Sequence, residues 1–131
     1  MKVLVDTCVW SQALRHKAPA LELATKLKDF VKDGRVVMIG PIRQELLSGI
    51  SNFAQFNKLK EILSAFEDTP LKTKHFIKAA EFSNICRNNG VQGSTIDFLI
   101  CAVSYLESLV IFTTDKDFDN YKKYLPVKLI R

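Results

Sequence analysis

The chain is poor in the residues on which catalysis is most often built. Its 131 residues include two histidines, His16 and His75, and three cysteines, Cys8, Cys86 and Cys101. The cysteines are odd in number, lack CxxC spacing and have apolar neighbours, which argues against a disulfide framework. They read as small core hydrophobes of a reduced, cytoplasmic protein. The histidines lie outside the acidic segments described below and read as surface residues. No apolar run approaches the roughly 18 residues of a membrane span. The opening stretch, with one Lys, three apolar residues and then Asp6, reads as neither a secretory signal nor an anchor. Internal repeats, low-complexity tracts and linkers are also absent.

What is present suits one globular domain spanning residues 1–131. A hydrophobic fraction of 47% with 25% charged residues supplies a single core without disulfides or a structural metal. Nineteen basic and 14 acidic residues leave a net charge of +5. That balance favours polyanionic partners without identifying one. Lysines along the helices, among them Lys26, Lys58, Lys60 and Lys78, are available to contact phosphates, although most read as solvated helix faces.

Short apolar β-rich runs alternate with helical patterns. Val3–Val5, Val36–Ile39, Leu109–Phe112 and Val127–Ile130 read as strands. Between them the spacing predicts a helix after Asp6-Thr7, one after Pro19 stopped by Gly34, and one opened by Gly40-Pro41. An amphipathic helix follows Ser51-Asn52. Further helices span Thr73 to about Cys86, Gly93-Ser94 to about Ser108, and Phe118 to Tyr124. Strand and helix in alternation imply a parallel sheet wrapped by helices.

Four carboxylates sit where apolar structure ends or is interrupted: Asp6, Glu45, Asp97 and Asp115. Asp6 and Asp115 follow strands, so they lie at carboxyl ends, where open parallel sheets keep their ligand crevice. Asp97 falls on the narrow polar strip of a helix otherwise apolar almost all round, and Glu45 flanks the stripe Ile42, Leu46, Ile50. Each has a plainer reading as a helix cap, a first-turn acid or a solvated helix edge. Brought to one crevice, four carboxylates would repel and raise one another's pKa values unless a cation neutralised them. All-oxygen ligation suits Mg²⁺ or Mn²⁺ rather than Zn²⁺. With no histidine base or cysteine nucleophile among these segments, a metal-activated water is the natural attacking group, and a phosphodiester its natural substrate.

The segments VLVDTCVW, PIRQELLSGI, RNNGVQGSTIDFLICAVS and VIFTTDKDF, in this order, resemble the PIN-domain family, most closely the VapC-type ribonuclease toxins of toxin–antitoxin pairs. The resemblance covers essentially the whole chain. It implies an α/β/α sandwich with a short central parallel sheet, and a Mg²⁺- or Mn²⁺-dependent endoribonuclease whose metal site is Asp6, Glu45, Asp97 and Asp115. Asp117 matches a further acidic position that either supports the metal site or caps the next helix. Ser94 and Thr113 match small hydroxyl positions that orient an acid or a water. A homodimer is also implied, as is a cognate VapB-type antitoxin whose tail blocks the acidic pocket. The stripe Phe53, Phe56, Leu59, Leu63 and Phe66 would suit an amphipathic partner helix, or simply core packing. Arg43, two positions before Glu45, reads as a surface or partner contact.

Two rivals stand beside this reading. A receiver-like phosphoacceptor module would want paired acids after the first strand, where Asp6 stands alone. An inactive RNA-binding PIN domain would be expected to have lost one of the four acids, and all four are present.

Overall fold

Val3, Leu4 and Val5 form strand β1 and none is exposed to solvent in the computed structural model, which describes residues 1–14 and 21–130. Successive strand residues point to opposite faces, so complete burial of all three requires cover on both sides of the sheet. Val110–Phe112 (β3) is buried the same way, and Val36–Val37 (β2) and Leu129–Ile130 (β4) lie half-buried at the edges. The sheet runs β2-β1-β3-β4 with every pairing parallel. The protein is therefore an α/β domain with, among the described residues, seven helices: α1 (Thr7–Ala13), α2 (Leu21–Lys32), α3 (Gly40–Leu47), α4 (Phe53–Leu63), α5 (Thr73–Asn88), α6 (Thr95–Leu106) and α7 (Asp117–Lys122). None is long and apolar enough to cross a membrane.

Local chemistry sets the boundaries. Asn52 caps α4 by accepting the Gln55 N–H, and Pro41 sits in the first turn of α3, where no donor is needed. Helix α5 runs two residues beyond Cys86, to Asn88, and Gly90 just after it has a φ of 75° that lets the Val91 N–H reach back to the Cys86 carbonyl. Strand β2 is shorter than the run Val36–Ile39, because Met38 leaves it for a single parallel bridge to Asp68 and Ile39 already precedes α3. The helix expected after Pro19 is α2, and Pro19 itself and the expected surface position of His16 lie outside the described residues.

Two side chains depart from their expected surface positions. His75 is 1% exposed. Its Nδ1 accepts the Lys72 N–H at 2.9 Å, so Nε2 carries the proton and donates to Glu107 at 2.8 Å. The ring thus caps α5 and ties it to the end of α6, a use that local spacing does not reveal. Arg43 is an internal clamp: it donates to Asp68 at 3.0 Å, to the Leu63 carbonyl at 3.0 Å and to the Phe66 carbonyl, fastening α3 to the turn after α4. The apolar stripe that starts on α4 and runs past its end to Phe66 divides. Leu63 is buried and Phe66 stacks edge-on against Trp10, whereas Phe53 is 80% exposed.

Candidate functional site

Strands β1 and β3 lie side by side in the middle of the sheet, with Val5 opposite Phe112, so their carboxyl ends deliver Asp6 and Thr113 to one edge. The connections diverge here, because β1 leads out to β2 on one side and β3 to β4 on the other. A parallel sheet opens a crevice at such a switch point.

Asp6 is nearly buried there. Its Oδ1 accepts the Thr7 N–H at 2.8 Å, and its Oδ2 accepts the Thr113 hydroxyl at 2.8 Å and the Cys8 thiol at 3.5 Å. Thr113, fully buried, also accepts the Asp115 N–H at 3.0 Å. Asp115 Oδ1 in turn accepts the Asp117 N–H at 2.9 Å, which launches α7. Asp115, not Asp117, thus receives an amide at the start of that helix. From the other side, α6 begins with Ser94 accepting the Asp97 N–H at 3.0 Å. Asp97 Oδ2 accepts the Tyr121 hydroxyl at 2.7 Å.

Asp97, Asp115 and Asp117 each offer a carboxylate oxygen to a group lying within 4.8 Å of one another. Burial pushes the Asp97 carboxyl above its ordinary range. The Tyr121 and Ser94 hydrogen bonds oppose that shift, and the charges of Asp6 and Asp115 add to it. Asp6 is raised too, chiefly by burial, against hydrogen bonds from Thr113, Thr7 and Cys8 and with a further push from Asp115. A close group of carboxylates, with the ionised forms of Asp97 and neighbouring Asp6 penalised, suits a hard divalent cation, which accepts oxygen ligands and offsets their charge.

The fold therefore joins Asp6, Asp97, Asp115, Asp117, Ser94 and Thr113 in one hydrogen-bonded and electrostatic neighbourhood. Glu45 is exposed on α3, between buried Ile42 and Leu46, and is not in the three-carboxylate group. Cys86 and Cys101 are buried as expected. Cys8 departs from that pattern: it is half-buried, its thiol accepts the Thr114 hydroxyl at 3.3 Å and faces Asp6, so it belongs to the polar rim of the site.

Sequence reasoning missed Tyr121, whose only local signal is an aromatic ring three residues after Phe118. It also missed why Gly93 is glycine. A Cβ there would lie 2.5 Å from the Tyr121 hydroxyl oxygen and 2.8 Å from Phe98 Cζ.

A family model described as PIN domain matches residues 3–124. In fold, the chain is similar to the solved structure of FitAcB from Neisseria gonorrhoeae, at a TM-score of 0.80 and 22% identity, covering 98% of this chain and 96% of that one. It is similar also to VapBC2 from Rickettsia felis bound to a DNA fragment from their promoter, at 0.80 and 18%, covering 99% and 98%. DNA-bound VapBC from Salmonella typhimurium follows at 0.75 and 12%, covering 99% and 97%. No curated protein sequence matches the chain significantly.

Proposed function

The chain belongs to the PIN domain family, and from that premise we propose that it is a Mg²⁺- or Mn²⁺-dependent endoribonuclease that hydrolyses RNA phosphodiesters as the toxin of a toxin–antitoxin pair. The observation that carries the reading is the group formed by Asp97, Asp115 and Asp117 beside Asp6, at the switch point of the sheet. Asp97, Asp115 and Asp117 would hold the ion, with Asp6 and Glu45 completing the acidic site. When bound, the ion supplies Lewis acidity toward the phosphate and a more acidic water.

The protein's own residues prepare the site. Thr113 holds Asp6 and the Asp115 backbone in one arrangement, and Ser94 fixes the start of α6 so that Asp97 faces the crevice. Burial of Asp6 limits the screening of its carboxylate by bulk water, while half-buried Asp97 and Asp115 and exposed Asp117 leave the ion a way in. The net charge of +5 favours RNA as a polyanion.

The partner reading is supported by a groove of about 600 Å³ between α1, α3 and α4, lined by Leu14, Leu46, Ile50, Leu59 and Ile62 with Lys58 at its rim. An amphipathic helix of an antitoxin would lay its apolar face there. We further propose a homodimer acting in the cytoplasm, where its RNA substrate is found.

The test is cleavage of a mixed, structured RNA pool by purified, antitoxin-free protein. Cuts that require Mg²⁺ or Mn²⁺, vanish with EDTA and vanish in Asp97→Asn are expected. Folded protein that cuts nothing under these conditions would return weight to an RNA-binding role.

A further inference from the structure

Tyr121 is fully buried, yet its one polar atom is spent on a half-buried carboxylate across the interface of α6 and α7. The ring is locked by neighbours on two sides, with centroids of Phe98 and Phe118 each 5.1 Å away. Gly93 closes the third side. A methyl group at that position would strike the hydroxyl and Cε1 of a ring that has nowhere to go. Gly93 is therefore required for space, since its backbone is not in the left-handed region.

The torsion that orients an Asp carboxylate is broad and roughly two-fold, so a free Asp97 would sweep its oxygens through many directions. A phenol hydroxyl donates near neutral pH, and at 2.7 Å from Oδ2 it confines that rotation. We infer that Tyr121, admitted by Gly93, is a positioning residue that presets the Asp97 carboxylate for a divalent cation. The inference rests on the metal-site reading above and names the residues that hold one of its acids still. Hydrogen-bond partners of ligating groups contribute in this way because the geometry is set before the ion arrives, and their loss typically weakens metal binding by about 10–100-fold.

The experiment is Mn²⁺ binding by isothermal titration calorimetry to the whole purified chain, alongside circular dichroism and thermal melting of the metal-free protein. Tyr121→Phe keeps the ring and is expected to raise the Mn²⁺ dissociation constant about tenfold while leaving the folded spectrum unchanged. Gly93→Ala should weaken binding similarly by displacing the hydroxyl, and if it does not fold, Tyr121→Phe decides alone. In an Asp97→Asn background, Tyr121→Phe should leave the residual affinity where Asp97→Asn put it, because the tyrosine acts through that carboxylate. A Tyr121→Phe protein that melts lower but binds Mn²⁺ like the wild type would reduce Tyr121 to a packing residue and overturn the inference alone. A wild-type protein that binds no Mn²⁺ would overturn the metal site and the inference together.

Discussion

The Thr113 hydroxyl lies 2.8 Å from Asp6 Oδ2 and, on its other side, receives the Asp115 N–H at 3.0 Å. One buried side chain thereby couples the acids that follow two neighbouring parallel strands. Thr113→Val has the same shape without the hydroxyl, so it strips Asp6 of a donor and leaves the Asp115 amide without that acceptor. It should destabilise the protein by about 1–3 kcal/mol and lower RNA cleavage at least tenfold, whereas Thr113→Ser should retain most of both. Denaturant melts and a cleavage assay check the pair.

Neutralising any one of Asp6, Asp97 or Asp115 to Asn should remove nearly all cleavage, and combining two should cost little more, because the carboxylates act as a unit. Glu45→Gln separates function from structure most cleanly. The side chain is exposed, so its loss should shift stability by no more than about 0.5 kcal/mol. If Glu45 belongs to the site, cleavage should nevertheless fall at least tenfold. Wild-type turnover in Glu45→Gln would remove it from the acidic set.

The raised carboxyls of Asp6 and Asp97 fix the sign of a pH effect. Their folded values exceed their unfolded ones, so the folded state binds the extra protons. Their contribution to stability is then complete below the ordinary carboxylate value of about 4 and is lost as pH rises through the raised values. In the metal-free protein, melting temperatures of Asp97→Asn should accordingly gain on the wild type across that rise. Added Mn²⁺ should reverse the gap at neutral pH, since it binds the ionised native site.

Arg43 holds Asp68 and the carbonyls of Leu63 and Phe66. Arg43→Met preserves much of its aliphatic length but leaves those acceptors without their donor. It should cost about 2 kcal/mol, read as a lower urea midpoint at unchanged slope, and Asp68→Asn should cost less because the two carbonyl contacts survive.

The order of strands and helices was legible because each depends on local chemistry. Continuous apolar β-rich runs marked β1 and β3, and the caps at Asn52 and Ser94 and the Pro41 start are contacts within a few residues. The acids after β1 and β3 were legible for the same reason, because an Asp that ends a buried strand must emerge at its carboxyl end. Neighbourhood in space was not legible. That β1 lies between β2 and β3, that Thr113 reaches a carboxylate 107 residues away, that His75 turns inward to Glu107 and that Tyr121 passes Gly93 to reach Asp97 all follow from packing between distant segments. Periodicity records which face of an element is apolar, whereas the partner that face meets depends on how all the elements share one core.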